Sequence, residues 1–389
     1  MTVSTQEDAK KMKRTNGQPS HAARGVTERL RETSANAAAA LAAAAMLVVG
    51  TVAPATACSR ALWAQEGEPV LVGRNEDWFE SLQTKIYAFP AGIERDGSVE
   101  ENPITWTSRY GSVSAVVYGI AITDGMNEMG LNANLLYLAE SEFGDRDPDV
   151  PGMSVSIFAQ WMLDNFATVD EVVAALEDVE LVPITMMHDT TEVQSPFHYS
   201  VADASGDSAI IEILDGQFVV HHGPEFTVMT NSPTYDQQLE LAKQYVGLGG
   251  DTPLPGSSQS PDRYARGAYY LSLLPDNPAN YGEAVANVMS VMRNMSTPWG
   301  VSDPGKPNVA PTLWRTVSDL TNGRYYFEFT QNPAVAWIDL HNLNLSEGAP
   351  VMMFDLKADI LATGEVSDRF NPAKEIDWLP GGAVLNPGP

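Results

Sequence analysis

The chain has a single cysteine, Cys58, so no intrachain disulfide can staple it and no cysteine cluster can hold a metal. Its order must come from buried apolar surface, and 389 residues with 44% hydrophobic content supply ample core for one large or two ordinary domains. What precedes Cys58 constrains the chain further. Residues 1–36 are polar and carry Lys10, Lys11, Lys13, Arg14, Arg24, Arg29 and Arg31. Thirteen apolar residues follow, Ala37 to Val49, then Gly50, Pro54 and the small-residue run Ala55-Thr56-Ala57. A basic segment, a short apolar segment and an A-x-A site in that order predict a signal peptide over 1–57, with Met12 open as an alternative start. Thirteen residues are too few to span a bilayer comfortably. The expected product is exported, periplasmic or secreted, and consists of one domain, 58–389, that begins at Cys58. A second reading makes Cys58 the lipidated residue of a non-catalytic anchored module. Against it, no Leu stands three residues before the cysteine.

The balance of 23 Lys+Arg against 50 Asp+Glu gives a net charge of −27. Losing residues 1–57 removes seven basic and four acidic residues and takes the charge to −30. That surface is wrong for neutralising phosphates, so nucleic acid is excluded as a partner, and so is docking on an anionic membrane.

Hydrophobic patterning predicts strands at 61–63, 70–74, 115–123 and 131–138, then helices over 155–166 and 169–179. Strands resume at 199–202, 209–214, 218–221 and 226–230, with turns at Asp203–Asp207 and Asp215-Gly216. Helices over 233–246, 263–274 and 281–295 precede strands at 312–319, 325–330 and 335–340. Runs of strands and runs of helices point to an α+β fold with helices outside two stacked sheets. The tail from Ala362 is polar, with Pro and Gly.

No G-x-S-x-G, H-E-x-x-H, phosphate-binding loop or dinucleotide fingerprint occurs. His221 and His222 are adjacent on a strand and face opposite ways, one to the core and one to the surface. No carboxylate pair stands out. Cys58 does: as a new N-terminus it carries its own base, because an α-amine titrating near pH 8 is partly neutral at pH 7. A nearby Arg would lower the thiol pKa further. In Gly73-Arg74-Asn75-Glu76-Asp77-Trp78, Arg74 can stabilise a thiolate and Asp77 can hold the α-ammonium in place. Alone, that run also reads as an ordinary charged turn.

Cys58 with Arg74 sixteen and Asp77 nineteen positions on resembles the choloylglycine hydrolase family, which includes penicillin V acylases and bile salt hydrolases. Asp124-Gly125-Met126-Asn127-Glu128-Met129-Gly130-Leu131 is similar to its D-G-[LM]-N-E-K-G-L segment. Val228–Pro233 resembles its L-T-N-x-P block, Leu254-Pro255-Gly256 with Asp262–Arg266 its L-P-G…S-R-F-x-R block, and Leu313–Leu340 its C-terminal strands. The resemblance implies a four-layer αββα sandwich of the N-terminal nucleophile hydrolase type and cleavage of linear amides through a thioester, without cofactor or metal. It gives Asn231 and the backbone N–H of Tyr137 as the oxyanion hole and Arg263 as an electrostatic support. One position of slip would put Leu138 in place of Tyr137. Trp78, Phe79, Phe89 and Tyr137 are candidates for an apolar acyl pocket. Core packing is the alternative for the first three. The resemblance also implies a homo-oligomer, a tetramer. Penicillin V, acyl homoserine lactones and conjugated bile salts all stay open as substrates. A self-processing amidase with an internal propeptide is a further alternative, disfavoured by the signal-type site before Cys58.

Overall fold

Several central strands are buried along their whole length: all seven residues of Leu71–Asp77, all six of Ser112–Val117 and all eight of Thr312–Asp319. A strand covered on both faces belongs to a sheet inside a layered stack, not to one with a wet side. The computed structural model describes residues 58–188, 191–249, 252–301, 310–332, 334–355 and 361–385, and the expected leader, 1–57, lies outside them.

Two sheets make the centre. The seven-stranded one runs in the order Val228–Met229, Ser59–Trp63, Leu71–Asp77, Thr312–Asp319, Arg324–Phe329, Ala336–Asp339, Gly364–Glu365. The nine-stranded one runs Gln217–His222, Ser208–Leu214, Phe197–Ala202, Asn132–Tyr137, Ala121–Asn127, Ser112–Val117, Lys85–Phe89, Met352–Phe354, Asn371–Pro372. Val72, Trp314, Phe327 and Ile338 of the first meet Ile86, Val113, Ala115 and Met126 of the second in a shared core.

Helices cover the two outer faces. Helices α1 (Phe158–Asn165) and α2 (Val169–Ala175) lie on the nine-stranded sheet, where Phe158, Met162 and Val172 join Leu135, Tyr199 and Ile211. A capping box starts α2: the Thr168 hydroxyl accepts from the Glu171 N–H while the Glu171 carboxylate accepts from the Thr168 N–H. On the other side α3 (Tyr235–Ala242) packs on α4 (Ser260–Leu271). Helices α4 and α5 (Tyr281–Met295) pack on the seven-stranded sheet. The Asn280 side chain caps α5 by accepting from Glu283 N–H. The result is the αββα sandwich.

Several elements differ from the sequence expectation. The run 115–123 is not one strand but the facing ends of two, because Tyr118 and Gly119 take φ of 52° and 73° and the Ile120 N–H bonds Val117 O. Two successive positive φ values make the tight turn that suits a hairpin, and the apolar run on either side of Gly119 hides it. Strand Lys85–Phe89 went unread, and the polar tail supplies edge strands at Gly364–Glu365 and Asn371–Pro372. Among the described residues no helix is long and apolar enough to cross a membrane.

Candidate active site

Cys58 opens strand Ser59–Trp63, which pairs with Leu71–Asp77 in the register Ser59↔Asn75 and Arg60↔Arg74. The period of two sorts the neighbouring strand. Arg74 and Glu76 point between the two sheets, where Arg74 reaches Leu135 O at 2.7 Å and Glu76 reaches Thr123 Oγ1 at 2.7 Å. Gly73, Asn75 and Asp77 face the helices, and Asn75 Nδ2 donates to Met292 O of α5 at 2.8 Å. Glycine at 73 lets α5 pack close: a Cβ there would stand 2.4 Å from Met292 Cγ, and that side chain would have to move.

Cys58 is 3% exposed, and its thiol donates to Glu76 Oε1 at 3.4 Å. Arg74 Nη2 lies 3.9 Å from the sulfur, Nη1 pairs with Glu76 Oε2 at 2.8 Å, and the guanidinium sits 5.0 Å over the Trp314 ring. Burial pushes the Cys58 thiol well above the ordinary thiol range. Glu76 and Asp77 push the same way, and Arg74 pulls back without prevailing. Arg74 thus lowers the thiol pKa as expected, but burial and the Glu76 carboxylate that pairs with it outweigh the effect. Asp77 is buried, and neither carboxylate oxygen has a well-formed hydrogen bond among the described residues. Burial raises its pKa to about 7 against the pull of the Arg263 guanidinium and the Thr312 hydroxyl.

Arg263 ties the remaining groups together from α4. Its Nη1 donates to Cys58 O and to Ser59 Oγ, each at 2.5 Å, and Nη2 donates to Asn231 Oδ1 at 2.7 Å. With its oxygen so held, Asn231 turns its Nδ2 to Tyr137 O at 2.8 Å. Leu138 N–H bonds Pro196 O, so Tyr137 and Phe197 face each other as a non-hydrogen-bonded pair. The Tyr137 N–H therefore points away from that strand. It faces the side where the ladder with Ala121–Asn127 has ended at Asp124↔Asn134 and where Arg74 enters.

A cleft opens at Cys58. Trp78 and Tyr137 line it, together with Leu82, Val117, Leu135 and Phe197, and its walls are almost wholly apolar. Trp78 Nε1 donates to Tyr118 Oη at 3.0 Å, and that hydroxyl donates to Glu80 Oε1 at 2.5 Å. Phe79 is 49% exposed and stacks on Trp78 with ring centroids 5.0 Å apart, outside the cleft wall. Phe89 is a correction. Strand parity turns it to the helical face with Tyr87, while Ile86 and Ala88 face the sheet-to-sheet layer. It is fully buried there, with Arg95 5.0 Å over its ring. His221 and His222 lie at the far edge of the nine-stranded sheet. His222 is at the surface as expected, with its Nε2 2.8 Å from Asp207 Oδ2, while His221 is half-buried rather than core.

Sequence reasoning missed Glu76. The one available signal was its i, i+2 spacing from Arg74 on a strand beside Cys58. The cleft walls Leu82, Val117 and Phe197 come from separate segments and carry no local signal.

These features can be set beside known proteins. A penicillin V acylase of Pectobacterium atrosepticum is 38% identical over 345 residues, 83% of this chain and 92% of that protein. The structure of penicillin V acylase from Agrobacterium tumefaciens matches with a TM-score of 0.76 and 41% identity, over 83% of this chain and 100% of that one. A conjugated bile acid hydrolase variant from Clostridium perfringens shares the fold, with a TM-score of 0.65 at 23% identity over 77% of this chain and 97% of that one. The pattern of the linear amide C–N hydrolases, choloylglycine hydrolase family, matches residues 58–358, so the chain belongs to that family of amide hydrolases.

Proposed function

We propose that removal of residues 1–57 exposes Cys58 as the nucleophile of an exported, penicillin V acylase-like amidase, periplasmic or secreted. The Cys58 sulfur attacks the amide carbonyl, forming the S–C bond, while the thiol proton passes to the neutral α-amine of the same residue. The resulting oxyanion accepts from Asn231 Nδ2 and the Tyr137 N–H, donors of a kind worth about 3–4 kcal/mol each. The α-ammonium returns its proton to the leaving nitrogen as the C–N bond breaks. Water, deprotonated by the amine, then splits the thioester. Asp77 anchors the α-ammonium, Arg263 orients Asn231, and Arg74 holds the backbone at Leu135 beside the sulfur. Trp78 and Tyr137 contact the acyl group. Phenoxyacetyl groups and acyl chains both suit apolar walls, and the amides of penicillin V and acyl homoserine lactones are the substrates favoured. Assembly as a homo-oligomer, a tetramer by resemblance, belongs to the same reading.

The observation that carries this proposal is the single cluster in which Arg263 bridges Cys58 O and Asn231 Oδ1 at the mouth of an apolar cleft. The test is product release from penicillin V, a long-chain acyl homoserine lactone and a glycine-conjugated bile salt, by processed enzyme and by Cys58→Ala and Cys58→Ser. Turnover that vanishes in Cys58→Ala is expected, with an intact mass starting at unmodified Cys58. A lipid mass on Cys58, or no turnover from a free N-terminal Cys58, would overturn the reading.

A further inference from the structure

Glu76 has no part in the mechanism just described, yet it is held firmly at the sulfur. Its Oε1 accepts from the Cys58 thiol at 3.4 Å, its Oε2 accepts from Thr123 Oγ1 at 2.7 Å, and the same oxygen pairs with Arg74 Nη1 at 2.8 Å. It is almost fully buried, and among the described residues lining the cleft it is the one carboxylate. A carboxylate at this distance opposes a thiolate by like charge. By pairing with Arg74 it also cancels the cation that would otherwise favour one. The other charged groups around Cys58 do not replace it. Arg60, on the same strand, is turned to Phe226 O and Ser208 Oγ. Asp77 stands on the neighbouring strand, Arg263 on α4 is spent on Cys58 O and Asn231, and Asp124 acts on Arg74 from the nine-stranded sheet.

We propose that Glu76 is a positioning residue that keeps Cys58 a protonated, hydrogen-bonded thiol, so that the nucleophile forms only when the α-amine takes the proton with substrate in place. This rests on the reading of Cys58 as an N-terminal nucleophile. Thiolate is the form that alkylating agents and peroxides attack. A sulfur held as thiol is therefore spared between turnovers, which matters for an enzyme exported to an oxidising compartment.

The test is the pH dependence of iodoacetamide alkylation of Cys58 in the processed enzyme, followed by intact mass, in wild type, Glu76→Gln and Glu76→Asp. Wild type is expected to show a midpoint at or above that of free cysteine. Glu76→Gln should move the midpoint down by one pH unit or more, giving about tenfold faster alkylation below both midpoints. Peroxide inactivation should speed up in parallel. Glu76→Asp should restore much of the wild-type profile. An unchanged profile in a folded Glu76→Gln overturns the proposal. If that variant does not fold, Glu76→Asp decides, since it draws the carboxylate back from the sulfur: a midpoint below that of wild type supports the proposal, and an unmoved one, or a wild-type midpoint well below free cysteine, overturns it. Alkylation is read without any substrate. A shifted profile with no amide turned over thus sinks the acylase reading alone, and turnover with an unshifted profile sinks this one alone.

Discussion

Asp77 is a buried carboxyl without a well-formed hydrogen bond while Cys58 still has a peptide nitrogen, and such a group costs stability when ionised. Its folded pKa of about 7 lies above the ordinary value of about 3.9, so between those values the folded chain holds the extra proton. Stability is therefore lost as pH rises from about 4 to about 7, by no more than about 4 kcal/mol. In chains that keep residues before Cys58, Asp77→Asn should raise the urea midpoint at pH 8 and leave it unchanged at pH 4. Equal midpoints at pH 8 would contradict the burial argument. In the processed enzyme the same substitution should remove most of kcat, because the proposed role of Asp77 is to hold the ammonium. In the sequence, Cys58 was marked by its place after the A-x-A run, and Arg74 and Asp77 by their spacing from it. The state of the thiol was not legible, because it depends on Glu76 and on the depth of burial.

At the scale of elements, the segment Asp124–Leu131 resembles a family block, yet none of its side chains reaches Cys58. Asp124 accepts from Asn132 and Asn134 in its own sheet and from Thr316 and Tyr325 in the other, tying the two sheets together. Asn127 Nδ2 donates to Leu163 O and Phe166 O, which fixes the end of α1. Gly130 has φ of 83°, and a Cβ on it would lie 2.3 Å from Leu320 O. Gly130→Ala should cost at least about 1 kcal/mol, lowering the urea midpoint while activity per folded molecule stays unchanged. A second element, the Tyr118-Gly119 hairpin, braces the cleft. Tyr118→Phe removes the acceptor for Trp78 Nε1, a bond worth about 1 kcal/mol net. It should raise KM about fivefold with little change in kcat, read by steady-state kinetics on an aromatic acyl amide.

For the whole molecule, the net charge, −27 for the full chain and −30 without residues 1–57, repels anionic substrates at a distance, and salt screens that repulsion. For an amide whose leaving half carries a carboxylate, kcat/KM should rise severalfold between 20 and 200 mM salt. For an uncharged amide of the same acyl group it should stay flat, and parallel responses would rule out steering. Two sheets with helices outside them were legible as the order of strand and helix runs, and helix 281–295 and strand 312–319 fell where patterning put them. Those features follow from local periodicity, which each segment carries in its own residues. The hairpin inside 115–123, the turning of Phe89 away from the cleft and the carboxylate that restrains Cys58 were not legible. Each is set by which strands become neighbours and which face of a strand meets another layer. Sequence by itself determined the candidate nucleophile and its spaced partners, because a one-residue motif and its strand parity are local properties. Only the tertiary structure decided the charge balance at the sulfur and the walls of the cleft, because burial and pairing arise between segments far apart in the chain.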